Sequence, residues 1–228
     1  MLYQPTYVLL IAVALALLLP DPGRWNPFAL ARPGARALAR DLPKSGPWAI
    51  GAGILVLGLI TAPAVAATWA LTSALPVALR LISPDASPIA ALILAAITLR
   101  LTLELPPIWA WRREEARPGG SPLQLLGVAL AAPVMLFALL GPYAPVVYRI
   151  ALEIGRGLAN ARGDEQIAAA AVWVAYIPAY PARRLVELFH LLADRSHASR
   201  GLMAARPLRV RAIAAAGTIA LALLVTIW

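Results

Sequence analysis

The chain contains no cysteine and only two histidines, His190 and His197, in 228 residues. The first absence excludes disulfides, thiolate metal sites and cysteine nucleophiles. The second argues against a histidine-rich metal centre, and no metal ligands are assigned. Charge is scarce as well. Asp, Glu, Lys and Arg make up 14% of the residues, against roughly 25% in an ordinary soluble domain. Acid is the scarcer sign, with 11 acidic residues against 20 basic ones. The patterns G-x-x-x-x-G-K-[ST], G-x-G-x-x-G and H-E-x-x-H do not occur, so no recognised nucleotide-binding loop is encoded.

Apolar residues fill the space, at 61% of the chain. They gather in long stretches at 4–20, 47–75, 87–103, 121–141 and 209–227, each near the ~20 residues that cross a bilayer as a helix. A less uniform stretch, 165–182, contains Pro178 and Pro181. A signal peptide accounts for one such stretch but not five. The first also lacks a basic leader and a small-residue cleavage site, and reads as a retained helix. The expected fold is all-α: a polytopic helical membrane protein with about five or six transmembrane helices. A single helical membrane domain over 1–228 is expected, with no internal repeat.

The basic residues are unevenly shared among the gaps. Gaps 21–46, 105–120 and 183–211 hold fifteen of the 20, while Arg80, Arg149, Arg156 and Arg162 fall in the alternate gaps. Cytoplasmic loops carry such an excess. The pattern predicts both termini outside, three loops inside and multi-pass placement in the cytoplasmic (inner) membrane. The net charge of +9 then needs no nucleic acid; anionic membrane lipids are the expected partners. Segment 142–164 is the variable in this arrangement. It reads as an amphipathic or re-entrant helix as readily as an external loop, and one extra crossing there moves the C-terminus to the other side.

Four groups of residues are candidates for chemistry. Arg100 and Glu104 lie one turn apart near the end of a span. They read either as an anion- or metal-facing pair in a cavity or as a structural, snorkelling pair. Arg149, Glu153 and Arg156 share a helix face, with Asn160, Arg162 and Asp164 beyond. That face reads as a phosphate site or as the wet side of an interfacial helix, and Asp164 as a helix cap. Arg183, Arg184, Glu187 and His190 follow Tyr176 and Tyr180; a site and an aromatic-basic interfacial anchor both fit. Asp21, with Arg24 or Asn26, opens DPGRWNPF, a cytoplasmic site motif or a pair of proline turns. RREEAR at 112–117 reads as a solvated loop face.

Three segments, LLLPDPGRWNPFALARPGARAL, APVMLFALLGPYAPVVYRIALEI and VAYIPAYPARRLVELF, together resemble the cobinamide-phosphate synthase (CobD/CbiB) family of integral membrane proteins. The latter two also resemble the related AmpE membrane proteins, which are associated with beta-lactamase regulation. The first resemblance implies amide formation between adenosylcobyric acid, a corrinoid small molecule, and aminopropanol phosphate. An enzyme of that type implies ATP and Mg2+. Asp21, Arg149, Pro178 and one of Arg183 or Arg184 match family positions. On this reading Glu153, Asp21 and Glu104 are the catalytic candidates. Arg149, Arg100, Arg183, Arg184 and Asn160 are the candidates for binding substrate phosphate. The chain is shorter than those enzymes, and it carries Ile150-Ala151-Leu152-Glu153 where they carry Asn-Thr-x-Asp. Glu153 then stands as a displaced carboxylate. The alternative is a non-catalytic, AmpE-like signalling or accessory protein.

Overall fold

The computed structural model describes residues 5–19, 26–103, 127–159 and 164–198. All regular structure among the described residues is helical. Helix α1 is Pro5–Leu18, and a 3-10 turn, Pro27–Leu30, leads into α2, Ala31–Ala39. Helix α3 runs from Pro47 to Arg80, 34 residues, and α4 is Ala86–Thr102. A π-helical segment, Gly127–Ala131, leads into α5, Ala132–Leu140. Helix α6 is Tyr143–Leu158 and α7 is Glu165–Ala198.

Proline and glycine set most of these boundaries. Gly46, at φ 79°, precedes α3, and Pro47 opens it. A left-handed glycine followed by proline at the first helical position is a favoured helix entry. Gly141, at φ 80°, turns the chain between α5 and α6. Inside α3 the backbone widens to π geometry over Ala70–Ala74, just before Pro76. The other π segment, Gly127–Ala131, likewise ends just before Pro133. Proline lacks an N–H and its ring clashes with the carbonyl four residues back, so a wider turn relieves both defects.

Two apolar cores form. One joins Ala31, Ala35 and Ala39 of α2 to Ala49, Ala52 and Val56 of α3, Ile150, Ile154 and Leu158 of α6, and Ile167 and Ala171 of α7. Alanine at every fourth position of α2 lets the backbones approach closely. The other core joins α1, the second half of α4, α5 and the middle of α7. Helix α2 lies beside the first half of α3, with Gly34 against Ile60. It runs the same way as α6, because Arg32 meets Glu153 and Arg36 meets Gly157 one turn further on. Lys44 pairs with Asp164 at 2.9 Å, so α3 and α7 start side by side. The Tyr143 hydroxyl lies 3.2 Å from that of Ser73, at the opposite end of α6.

Segment 142–164 is therefore mostly a buried helix, α6, which returns the chain to the end where α3 begins. It is a helix rather than a plain loop, one of the two alternatives for this segment. Because α7 starts at that end, Arg183 sits 18 residues further along it, roughly 27 Å at 1.5 Å per residue. The stretch expected at 165–182 continues through Pro178 and Pro181 to Ala198. The stretch at 209–227 lies outside the described residues, as does all of 105–126. Among the described residues one helix, Pro47–Arg80, is long and apolar enough to cross a membrane by length and composition. Thr6–Ala16, Ser87–Thr102 and Ala129–Leu140 are shorter apolar helices.

Helix α3 comes close to α7 at Gly53, where an added Cβ would collide with the Ile167 carbonyl and sit 3.2 Å from the Ala170 Cβ. Overpacking of this kind costs about 1–3 kcal/mol. Gly53→Ala is expected to lower the unfolding midpoint in detergent. Gly51→Ala, whose Cβ meets nothing within 4 Å, is expected to leave it unchanged or to raise it slightly.

Candidate functional site

Glu153 is the centre of the charged structure. It lies on α6 with no exposure to solvent, yet it carries a carboxylate. A buried carboxylate needs paired cations and hydrogen bonds to offset the loss of water. Three arginines supply them. Arg149, one turn earlier, places Nη2 2.7 Å from Oε1. Arg156, nearly one turn later, places Nη1 3.2 Å from the same oxygen. Arg32, from α2, donates through Nε to Oε2. Helical spacing alone brings Arg149 and Arg156 to Glu153; only the tertiary fold brings Arg32.

The cluster is closed on one side and open on the other. The Arg149 side chain is 6% exposed, whereas those of Arg156 and Arg32 are 39% and 44% exposed. Gly157 lets α2 come this near, because a Cβ there would lie 3.1 Å from both Cα and the carbonyl oxygen of Arg32. Arg36 then donates through Nε to the Gly157 carbonyl at 2.9 Å. Counting Arg32, Arg149, Arg156 and Glu153, the cluster carries two more positive charges than negative ones.

Arg100 and Asn26 form a separate polar node. The buried Arg100 donates from Nη1 to the Leu103 carbonyl and from Nη2 to the Leu19 carbonyl, both at 3.3 Å. Asn26 donates from Nδ2 to the Leu101 carbonyl at 3.2 Å and accepts from the Phe28 N–H at 3.0 Å. Each side chain satisfies carbonyls that the last turn of a helix leaves over. A cation also complements the negative end of the helix dipole. Within this structure Arg100 ties the ends of α1 and α4 together and Asn26 caps the turn before α2.

The candidates named from sequence thus fall into distinct places. Arg149 and Glu153 come together; Arg100 bonds to helix ends instead. Arg183 and Arg184 lie far along α7, where Arg184 pairs with Glu187 at 2.9 Å and stacks its guanidinium 5.2 Å from the Tyr180 ring centre. Tyr180 also contacts Tyr176, which meets Trp173 edge-on. Asp21, Glu104 and Asn160 lie outside the described residues, as do Arg24 and Arg162. Sequence reasoning missed Arg32, Arg36 and the Lys44–Asp164 pair, having treated 21–46 as a gap. The signal was present in ARPGARALA, where alanines and arginines each recur at every fourth position.

The donors among the described residues do not suit the Mg2+ that the family resemblance implies. Glu153 is ringed by three guanidiniums, and Asp164, the other buried carboxylate among the described residues, is paired with Lys44. No group of three or more His, Cys, Asp or Glu side chains converges among the described residues. Mg2+ requires oxygen ligands free of competing cations. A cavity of about 580 Å³ is lined by Thr61, Ala62, Val65, Ala66, Trp69 and Tyr143. It contains none of the charged candidates.

Comparison with protein-family models, with characterised proteins and with solved structures returns no match to this chain.

Removing the Glu153 charge leaves Arg149 buried beside two further cations. Breaking a buried pair in this way costs about 3–5 kcal/mol, and Glu153→Gln is expected to destabilise the protein by that order in a detergent unfolding titration. Glu187→Gln breaks an exposed pair and is expected to cost under about 1 kcal/mol. Equal losses at the two positions would contradict the central place of Glu153.

Proposed function

We propose that this chain is a multi-pass helical protein of the cytoplasmic membrane, acting as a non-catalytic accessory or signalling component on an AmpE-like scaffold. The membrane reading rests on the surface of α3. Trp48, Ile50, Ile54, Leu55, Leu59, Trp69, Leu71 and Val77 are all exposed along it. Soluble monomers rarely expose so large an apolar surface. The threonine hydroxyls of α3 support the same reading: Thr61, Thr68 and Thr72 bond back to the carbonyls of Leu57, Ala64 and Thr68 at 2.7–2.8 Å. An apolar helix whose hydroxyls are satisfied within itself is at home in lipid.

The non-catalytic reading is carried by one observation: Glu153, the leading catalytic carboxylate, is already engaged by three arginines. Three of the four lone-pair sites of that carboxylate are taken by guanidiniums, and the nearby positive charges repel a metal cation. Among the described residues, Arg100 and Arg184 bond elsewhere than at the Glu153 cluster.

A corrinoid amide-forming enzyme is the second reading. The excess of positive charge on Arg32 and Arg156, both partly exposed, favours it, because guanidiniums bind the phosphate of a molecule such as aminopropanol phosphate bidentately. Titration of detergent-purified protein with adenosylcobyric acid, followed by corrin absorbance, separates the two. The accessory role predicts no saturable binding up to about 100-fold the usual KM range for small substrates. Saturable binding that weakens in Arg149→Gln would restore the enzyme.

The membrane placement has its own test. The chain lacks cysteine, so single cysteines report topology cleanly. Ser45→Cys, before α3, is expected to react with an impermeant maleimide only from the cytoplasmic side. Asp85→Cys, beyond its other end, is expected to react only from outside. Labelling of both from one side would remove the crossing.

A further inference from the structure

We infer that the outer edge of α2 binds the phosphate of an anionic phospholipid, through Arg32 and Arg36. This inference rests on the membrane reading above. Arg32, Arg36 and Arg40 recur at one-turn spacing on α2, beside the inward face of Ala31, Ala35 and Ala39. Arg32 and Arg36 are held in the same manner. Each uses Nε to bond inward to α6, Arg32 to Glu153 and Arg36 to the Gly157 carbonyl. Among the described residues no protein group bonds to the Nη atoms of either side chain.

That arrangement has a chemical consequence. A guanidinium fixed through Nε keeps its paired Nη–H edge for a second partner, and that edge matches two oxygens of a phosphate. Two such edges one helical turn apart, about 5–6 Å, suit a single phosphodiester between them. The inward bonds restrict the guanidiniums before any ligand arrives, so less side-chain freedom is lost on binding.

Charge favours lipid as the source of that phosphate. Helix α2 packs against the first half of α3, through Ala49, Ala52 and Val56, so its arginines stand beside the entry of an exposed apolar helix. Half-exposed guanidiniums in that position need water or a counter-anion. Glu153 is the one carboxylate bonded to them among the described residues, and it is shared among three arginines. Leu30, in the turn before α2, and Leu38, on α2, are exposed, apolar surface for the acyl chains of a lipid whose headgroup reaches the arginines. An amphipathic helix that presents arginines and leucines together is the usual reader of anionic lipid surfaces.

The test uses full-length protein in a mild neutral detergent. Dioctanoyl-phosphatidylglycerol, dioctanoyl-phosphatidylcholine and inorganic phosphate are added separately, and the thermal midpoint is read. The glycerol lipid is expected to raise the midpoint in a saturable way, with the choline lipid and phosphate having little effect. Arg36→Gln with Arg40→Gln, which spares the Glu153 cluster, is expected to weaken that response about tenfold. Arg36→Lys, which keeps charge without the fork, is expected to weaken it less. Equal responses to the two lipids, or an unchanged response in the double variant, would overturn the lipid site. A response to inorganic phosphate alone would also overturn it and point to a soluble phosphate ligand. Failure of the membrane reading is seen separately, as release of the unaltered protein from membranes by alkaline carbonate.

Discussion

The structure turns on one carboxylate. Glu153 is fully buried on α6 and is neutralised by arginines from two helices. Without it, Arg149 would be a buried cation among like charges, and α2 would lose the contact that aligns it with α6. Each neighbouring feature answers to that bond. The Gly157 position has no side chain, which allows the backbones to close. The alanine face of α2 has no bulk, which brings Arg32 within reach. Arg36 repeats the contact one turn later through a backbone carbonyl.

A buried ion cluster of this kind is weak evidence of stability by itself, since desolvation consumes much of the attraction. Its use lies in specification. Apolar packing of alanine on alanine allows α2 to slide or rotate at small cost, whereas an arginine that must find Glu153 admits one register. The Arg100 node works in the same way, joining the carbonyl ends of α1 and α4. In both places a long cation reaches from one helix to satisfy another, so a fold rich in Ala and Leu acquires a definite arrangement.

Much of the architecture was legible in the sequence. The apolar stretches at 4–20, 47–75 and 87–103 correspond to α1, most of α3 and α4, because long apolar runs bounded by proline and charge have few other outcomes. The face shared by Arg149, Glu153 and Arg156 was readable from spacing. Arg32 was not, since 121 residues separate it from Glu153 and no local rule joins them. Helix α2 was passed over because its arginines were counted as loop charge. Two bonds of Arg100 are hidden for a different reason: they go to the backbone carbonyls of Leu103 and Leu19, which leave no mark in a sequence. Segment 142–164 is ambiguous because Arg149, Glu153 and Arg156 interrupt an otherwise apolar helix, and only the packing against α2 and α7 decides that it is buried.

A double-mutant cycle between Arg32 and Glu153, followed by unfolding in detergent, bears most directly on the claim that this bond fixes α2. Contacting residues in one network couple by about 0.5–3 kcal/mol. The account predicts that Arg32→Ala and Glu153→Gln together destabilise by at least about 1 kcal/mol less than the sum of the single changes. Additivity to within about 0.5 kcal/mol would mean that the two side chains do not depend on each other, and the cluster would lose its place at the centre of the fold.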